Sequence, residues 1–248
     1  MRLKGKVAVI TGGATGIGRA AALQFGLDGA EVIVADVNDV EGVATARAIT
    51  QVRGAAQFVR TDVSSETDVR ALMKDVDDAC GHLDILVNCA GIFQGMEVRV
   101  DDFEDDRWEQ VIAVNLKGSY LCAKHAVPLM EKRGAGVILL VASIAGVTVP
   151  SSSIAYGASK GGVHGLAISL ERQLTPLKIR VNTVCPSDIA TPLKIATIEE
   201  IADRKGKTRA AAMAEWQPRL GDPAGVAKVM AFLASSDGAY VRGTVVTR

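Results

Sequence analysis

Three residues in the second half of the chain have types and spacing suited to moving a proton. Tyr156 and Lys160 are four residues apart in a stretch with helical spacing, so their side chains lie on one face of a helix. A lysine cation beside a phenol favours the phenolate, and we expect it to lower the tyrosine pKa from about 10. Ser143 follows the apolar run Val137–Val141, at the strand end where open α/β sheets bind ligands. A lone Tyr/Lys pair is ordinary helix surface, but Ser143 beside it predicts general acid–base chemistry near neutral pH.

A glycine-rich loop follows the first predicted strand and opens the first predicted helix. Glycine lets the backbone approach a pyrophosphate, and the start of a helix offers unpaired N–H groups and the positive end of its dipole. Glycine is also common in tight turns, but a position between a strand and a helix favours a dinucleotide site. The loop is Thr11-Gly-Gly-Ala-Thr-Gly-Ile-Gly18, and the predicted cofactor contacts in it are Gly12, Thr15, Gly16, Ile17 and Gly18.

Asp36 ends the second predicted strand, 18 residues after Gly18. A carboxylate there can accept hydrogen bonds from both ribose hydroxyls of adenosine, and it repels a 2′-phosphate. The glycine loop carries Ala14 and Thr15 and has no Lys or Arg before Gly16, so no cation is placed to receive that phosphate. The pattern predicts that NAD(H) is preferred over NADP(H). The alternative role of Asp36 is that of a helix N-cap.

The elements that must position these residues alternate between strand and helix, which is the pattern of βαβ units. Several strands are apolar at almost every position, so helices should cover both faces of the sheet. We therefore predict an α/β fold over residues 1–248, a single-domain Rossmann-type doubly wound parallel sheet of about seven strands with helices on both faces. The predicted strands are Val7–Thr11, Glu31–Ala35, Ala56–Val59, Leu83–Val87, Val137–Val141 and Lys178–Val184. The predicted helices are Ile17–Leu27, Val40–Val52, Glu66–Ala79, Arg107–Lys132 and Ile154–Leu174.

Composition and charge exclude several classes of function. The chain has 248 residues, and its 28 basic side chains balance 28 acidic ones, which argues against a nucleic acid partner. Cys80, Cys89, Cys122 and Cys185 form no C-x-x-C pair, and they predict reduced thiols and no metal site. The longest apolar stretch, Gly136–Pro150, is shorter than the ~20 residues that span a bilayer. Without a signal-peptide pattern, we expect a cytoplasmic protein with no membrane contact.

One segment interrupts the alternation of strands and helices. Residues 191–221 are polar, rich in Lys, Arg and Glu, and long for a connection within a compact domain. The segment is either a helical excursion on the protein surface or a lid over a substrate. We prefer the lid, because long insertions at this end of a sheet are often functional.

Taken together, the motifs resemble the classical short-chain dehydrogenase/reductase (SDR) family over essentially the whole chain. The resemblance rests on several motifs that occur in the family's order. They are Thr11-Gly-x-x-x-Gly-x-Gly18, Asp62-Val63, Asn88-Cys-Ala-Gly91, Asn115, Ser143, Tyr156-x-x-x-Lys160 and Asn182 preceding Pro186.

The resemblance implies a role for each catalytic residue. Tyr156 would exchange the substrate proton, and Ser143 would hydrogen-bond the substrate oxygen. Lys160 would hold the nicotinamide ribose and favour the phenolate form of Tyr156, and Asn115 would hold a water that links Lys160 to solvent. Further cofactor contacts implied by the family are Asp62 and Val63 at the adenine, Asn88, Ala90 and Gly91 along the cofactor, and Pro186, Ile189 and Thr191 in the loop at the carboxamide.

Two residues depart from the family pattern. Cys89 occupies the second asparagine position of the usual Asn-Asn-Ala-Gly, where it could loosen a structural hydrogen bond. Ser187 replaces the glycine that normally follows the proline. The family pattern therefore does not predict the backbone geometry of the Pro186–Thr191 loop at that position.

The leading functional hypothesis is an NAD-linked dehydrogenase that interconverts a small-molecule secondary alcohol and its ketone. An apolar substrate is favoured because Ile144, Ala145 and Val147 follow Ser143 into the predicted pocket. The alternative is a 3-oxoacyl-thioester (acyl carrier protein) reductase, which usually prefers NADPH. A remote alternative is a non-catalytic dinucleotide-binding protein on the same fold. The complete catalytic set disfavours it.

The helix that carries the catalytic pair is unusually rich in glycine. Each glycine costs about 1 kcal/mol of helix stability relative to alanine, and close packing by another helix would offset that cost. Members of the family commonly form tetramers through this helix. The resemblance therefore implies a homotetramer, with a dimer as the next choice. The glycines are Gly157, Gly161, Gly162 and Gly165.

Overall fold

Seven parallel strands form one sheet in the computed structural model, which describes residues 1–248. The strands are β1 (Val7–Thr11), β2 (Glu31–Asp36), β3 (Ala55–Arg60), β4 (Ile85–Asn88), β5 (Gly136–Val141), β6 (Ile179–Pro186) and β7 (Gly243–Thr247). Their order across the sheet is β3-β2-β1-β4-β5-β6-β7, and every pairing is parallel. The winding direction reverses between β1 and β4, which is where ligands bind in folds of this type.

The chain has nine α-helices, six of which form the two cores on the faces of the sheet. They are α1 (Gly16–Leu27), α2 (Asp39–Gln51), α3 (Glu66–Cys80), α4 (Asp105–Ile112), α5 (Gly118–Arg133), α6 (Ile154–Leu174), α7 (Pro192–Arg204), α8 (Arg209–Trp216) and α9 (Pro223–Ala234). One core lies between the sheet and α3, α5 and α6, and the other lies between the sheet and α1, α2 and α9. A third, small core joins α7 to α8. No helix has the length and apolarity that crossing a bilayer requires.

The predicted doubly wound parallel fold is confirmed. The bounds of β1 and α6 are as predicted, and most other bounds differ by one or two residues. The fourth strand begins at Ile85, two residues later than predicted. The residue before it, Asp84, is still tied to both neighbouring strands, since its N–H donates to the Val7 carbonyl oxygen at 3.1 Å and its own carbonyl oxygen accepts from the Val137 N–H at 2.9 Å. The Asp84 carboxylate accepts hydrogen bonds from the Val7 backbone N–H at 3.0 Å and from the Lys6 ammonium at 2.8 Å.

The single helix predicted over Arg107–Lys132 is wrong in one respect. A π-helical segment, Ala113–Lys117, separates α4 from α5. The Gly118 N–H donates to the Ala113 carbonyl oxygen, five residues back, which widens the turn and changes the direction of the side chains within it. Segments of this kind are frequent at functional sites, and this one contains Asn115.

Candidate active site

The loop between β1 and α1 has close backbone contacts that exclude side chains at two positions. A Cβ atom built on Gly18 would lie 2.0 Å from the Gly12 carbonyl oxygen, and one built on Gly12 would lie 2.7 Å from the Ala90 nitrogen. Thr15 precedes α1, but its side chain makes no capping hydrogen bond. The N–H groups at the start of α1 are therefore free of a side-chain cap beside the cavity, which is the arrangement that binds phosphate.

The Asp36 carboxylate is oriented by backbone N–H groups at the end of β2. One oxygen accepts a hydrogen bond from the Ala14 N–H at 3.0 Å, and the other accepts from the Asn38 N–H at 3.0 Å. The residue that caps α2 is Asn38, whose side chain accepts from the Glu41 N–H at 3.1 Å. The alternative of Asp36 as the N-cap is therefore wrong, and Asp36 lines the cavity instead.

Asn88 does not line the cavity, but its hydrogen bonds hold the strand ends that form the cavity wall. Its side chain is buried at the end of β4, and its amide oxygen accepts a hydrogen bond from the Thr11 hydroxyl. The same hydroxyl oxygen accepts from the Ala90 N–H at 3.3 Å. These bonds join the ends of β1 and β4 at the reversal point of the sheet, and they place Ala90 and Gly91 along the cavity wall.

Tyr156 and Lys160 lie in the first two turns of α6, and a cap determines where that helix begins. The Ser153 hydroxyl accepts from the Tyr156 N–H at 3.2 Å and donates to the Gln94 carbonyl oxygen at 2.6 Å. The Lys160 ammonium lies 5.6 Å from the centre of the Tyr156 ring, and the Ser143 hydroxyl accepts from the Ala145 N–H at 3.1 Å. The three residues predicted to move a proton therefore line one cavity.

Burial controls the charge of the catalytic pair. Lys160 is 4% exposed, and its ammonium donates to the Val141 carbonyl oxygen at 2.8 Å. Loss of hydration lowers the Lys160 pKa from 10.5 to about 8. Burial also raises the pKa of Tyr156, against the opposing effect of the Ser143 hydrogen bond. The expected lowering of the Tyr156 pKa by Lys160 is wrong in this arrangement, because burial of the phenolate dominates and the ammonium bonds to Val141.

Asn115 lies in the π-helical segment and is fully buried. Its side-chain oxygen accepts from the Ile92 N–H at 2.8 Å. Its side-chain nitrogen donates to the Ile92 carbonyl oxygen and to the Ser159 hydroxyl, both at 3.0 Å. The Asn115 backbone carbonyl accepts from the Ser119 hydroxyl at 2.6 Å. Asn115 thus joins the loop after β4 to α6, next to the catalytic pair.

One cavity of about 730 Å³ follows the carboxyl ends of the strands. The predicted site residues that line it are Gly12, Thr15, Gly16, Ile17, Gly18, Asp36, Asp62, Val63, Ala90, Gly91, Ser143, Tyr156, Lys160, Pro186, Ile189 and Thr191. Asn88 and Asn115 are the two predicted residues that do not line it. Uncapped N–H groups at one end and a carboxylate placed for ribose hydroxyls fit an adenine dinucleotide.

Sequence reasoning missed part of the cavity wall. Gln110 and Val114 line the cavity, and their spacing of four residues just before Asn115 is the signal that could have identified them. The Phe93 ring packs on the Tyr156 ring, with centroids 5.0 Å apart and an interplanar angle of 58°. The residues missed in the 191–221 segment are Pro192, Leu193, Lys194 and Thr197.

The two departures from the family pattern are accommodated locally. Cys89 lines the cavity, and burial raises its pKa to about 12, so the thiol stays protonated near neutral pH. Ser187 has no positive φ angle, and its N–H donates to the Thr247 carbonyl oxygen at 2.9 Å. A residue with a side chain therefore fits at position 187 without backbone strain.

Three of the four glycines in α6 are explained by packing within the chain. Cβ atoms built on Gly157, Gly161 and Gly162 would lie 2.9, 2.9 and 2.7 Å from the nearest atoms of Ser151, Gly146 and Leu116. A Cβ atom on Gly165 would have nothing within 4 Å. The glycine content of α6 therefore has mostly an internal cause, and Gly165 is the one open position for a second helix.

Comparison with known proteins agrees with this geometry. The family model described as short chain dehydrogenase matches residues 6–202. The chain is 39% identical over 243 residues to cis-4-hydroxycyclohexanecarboxylate dehydrogenase of Sinomonas cyclohexanicum, covering 97% of this chain and 93% of the relative. It is 34% identical over 247 residues to 3-oxoacyl-(acyl-carrier-protein) reductase FabG of Thermotoga maritima, covering 99% and 97%.

A solved structure has the same fold over nearly the same length. The crystal structure of levodione reductase superposes with a TM-score of 0.92 at 28% sequence identity, covering 99% of this chain and 96% of that chain. Family match, relatives and fold all point to an oxidoreductase that acts on CH–OH or carbonyl groups. The chain belongs to the short chain dehydrogenase family.

Proposed function

We propose that this protein is an NAD(H)-dependent oxidoreductase that interconverts a small-molecule secondary alcohol and its ketone. The observation that carries the proposal is that Ser143, Tyr156 and Lys160 line the same cavity as the glycine loop and Asp36. Proton-transfer groups and a nucleotide-binding surface in one cavity are what hydride transfer to or from a carbinol carbon needs.

In the proposed chemistry, each side chain acts on a stated atom. The Ser143 hydroxyl holds the substrate oxygen, and the Tyr156 phenol oxygen takes the hydroxyl proton in oxidation and returns it in reduction. The nicotinamide cofactor, when bound, accepts or supplies the hydride. Lys160 holds the nicotinamide ribose, and its ammonium lies 5.6 Å from the centre of the Tyr156 ring. Asn115 supports the connection of Lys160 to solvent by holding a water.

The cofactor preference in this proposal rests on Asp36. Its carboxylate is held at the end of β2 by two backbone N–H groups, at 3.0 Å each. A fixed carboxylate accepts hydrogen bonds from ribose hydroxyls, whereas a 2′-phosphate at the same place meets a like charge. We therefore propose that NAD(H) is preferred over NADP(H).

The substrate end of the cavity supports a compact, largely apolar alcohol under a lid. Phe93, Ile144, Val149 and Leu193 line it around Ser143 and Tyr156. We propose that residues 191–221 form the lid, since several of them line the cavity and their two helices pack around a small core of their own. One relative is named for a hydroxycyclohexanecarboxylate, so a cyclic secondary alcohol is a reasonable first test substrate.

A second candidate is reduction of a 3-oxoacyl thioester. The observation that favours it is the 34% identity to a 3-oxoacyl-(acyl-carrier-protein) reductase over nearly the whole chain. Such reductases usually prefer NADPH, and the Asp36 carboxylate would repel its 2′-phosphate. Asp36 therefore argues against thioester reduction.

We propose a homotetramer, or else a dimer, located in the cytoplasm. The open position at Gly165 and the exposed Ile168 one turn later, 56% exposed, support contact through α6. The four cysteines are free thiols, as in proteins of a reducing compartment.

Fluorescence titration with NADH and NADPH tests the proposal, followed in the same preparation by a panel of secondary alcohols and a 3-oxoacyl thioester. We expect tighter binding of NADH together with alcohol turnover. Preference for NADPH together with thioester reduction would instead establish the second candidate.

A further inference from the structure

Lys194 is a cavity residue that the catalytic scheme leaves without a role. It and Lys160 are the two basic side chains that line the cavity. Lys194 lies in the first turn of α7, where its N–H donates to the hydroxyl of the N-cap residue Thr191 at 3.2 Å. Thr191, which borders the glycine loop, therefore also fixes the place of Lys194 at the start of α7.

The Lys194 ammonium is held between a carboxylate and an aromatic ring. Its Nζ lies 2.6 Å from Asp188 Oδ1 and 4.1 Å from the centre of the Trp216 ring. The Lys194 side chain is 20% exposed, whereas that of Asp188 is 42% exposed. The cation is thus oriented and mostly withdrawn from water, and its anionic partner is the half-exposed carboxylate of Asp188.

Backbone hydrogen bonds hold Asp188 independently of Lys194. The Gly221 N–H donates to the Asp188 carbonyl oxygen at 2.7 Å, and the Ala190 N–H donates to the Gly221 carbonyl oxygen at 2.9 Å. These bonds join the two ends of the 191–221 segment. Loss of the Asp188–Lys194 ion pair therefore leaves the base of the segment bonded.

The start of α7 lies beside the loop where phosphate is expected. A Cβ atom built on Gly16 would lie 3.2 Å from the Thr191 Cβ atom. The carboxylates that line the cavity are Asp36, Asp62 and Asp188. The other cation that lines it, the Lys160 ammonium, is bonded to a carbonyl. An anionic group in the cavity therefore has Lys194 as its available cation.

We propose that Lys194 is an anion-binding residue of the cavity, whose ammonium exchanges Asp188 for an anionic group of the bound ligand. The anion is either the pyrophosphate of the cofactor or a carboxylate on the substrate, and both form the same charge-assisted hydrogen bond. The inference rests on the proposed function, since it assigns a ligand to the same cavity.

Two substitutions break the Lys194–Asp188 ion pair from opposite sides. If Lys194 binds the ligand's anion, they should have opposite effects on ligand affinity, whereas a purely structural ion pair predicts the same loss for both. Lys194→Met removes the cation, and Asp188→Asn removes its competitor. Lys207→Met is the matched control, because Lys207 is an exposed lysine of the same segment, paired with Glu215 at 2.8 Å and outside the cavity. The measurements are NADH affinity by fluorescence, and the affinities of cyclohexanecarboxylate and cyclohexanecarboxamide for the enzyme–NADH complex.

Opposite effects of the two substitutions are the expected result. Lys194→Met should weaken binding of the anionic ligand by about tenfold, the size of one charge-assisted hydrogen bond, and Asp188→Asn should strengthen it. An effect on NADH identifies the pyrophosphate as the anion. An effect on the carboxylate but not on the carboxamide identifies the substrate.

Three results would overturn the inference. The first is a Lys194→Met variant whose affinities for NADH and cyclohexanecarboxylate are both within twofold of wild type. The second is an Asp188→Asn variant that binds neither ligand more tightly than wild type. The third is a Lys207→Met control that loses as much affinity as Lys194→Met. These readouts are binding constants. A wild type that binds as expected but turns over no alcohol therefore contradicts the proposed function and not the role of Lys194.

Discussion

The Lys160 ammonium donates a hydrogen bond to the carbonyl oxygen of Val141, the last residue of β5, at 2.8 Å. This bond holds a cation at the carboxyl end of the sheet, within 5.6 Å of the Tyr156 ring centre. One hydrogen bond to a neutral carbonyl only partly replaces the water that a buried ammonium loses, so the Lys160 pKa falls to about 8.

Stability should depend on pH through Lys160. At neutral pH the folded protein bears the cost of a buried cation. As pH rises through about 8, folded Lys160 loses its proton, whereas the unfolded chain keeps it up to 10.5. Wild type should therefore gain roughly 2 to 3 kcal/mol relative to Lys160→Met between pH 7 and pH 10. Urea unfolding of both proteins at pH 7 and pH 10 measures this gain, and a difference independent of pH would contradict it.

Tyr156→Phe should lower kcat by a factor of about 10² to 10⁴, the usual contribution of a general acid–base group. The substitution removes the proton-exchanging oxygen and keeps the ring that packs on Phe93. NADH affinity should therefore stay within about twofold of wild type. Tyr120→Phe, at an exposed tyrosine, is the matched control and should retain full activity. Retained turnover in Tyr156→Phe would remove this residue from its proposed role.

Asp36→Ala should reduce the discrimination between NADH and NADPH. The substitution removes the acceptor for the ribose hydroxyls and the charge that repels a 2′-phosphate. The ratio of the two dissociation constants, from fluorescence titrations, should move at least tenfold towards NADPH, about 1.4 kcal/mol. Asp39→Ala removes a nearby exposed carboxylate, paired with Arg60 at 3.5 Å, and should leave that ratio unchanged. A constant ratio in Asp36→Ala would refute the cofactor argument.

Gly165→Arg should dissociate the proposed homotetramer. Gly165 is exposed on α6 with open space beside it, one turn before the exposed Ile168. A long cation there would not disturb the subunit, but it would block a second helix from packing. Sedimentation velocity should show a smaller species than for wild type. Gly225→Arg, at an equally open glycine of α9, should leave the assembly intact. A wild type that sediments as a monomer would contradict the proposed assembly.

Local patterns in the sequence were sufficient for much of the fold and for the reacting groups. The alternation of apolar strands and helices predicts the doubly wound sheet because each element is specified by the periodicity of its own residues. The spacing of Tyr156 and Lys160 places them on one helix face for the same reason. Within the β1–α1 loop, the contact of Gly18 with Gly12 is local, whereas Gly12 and Gly16 lie against Ala90 and Thr191, which are far away in the chain.

Only the tertiary structure decided which groups the charged side chains of the site contact. Whether Lys160 bonds to Tyr156 or to Val141 depends on how α6 lies against β5, and this bond and the burial around it determine the direction of the pKa shifts. The Lys194 ammonium is likewise oriented by a carboxylate from the loop after β6 and by a ring from the end of α8. Periodicity describes which face of an element is apolar, but hydration and charge at a site depend on contacts between elements far apart in the chain.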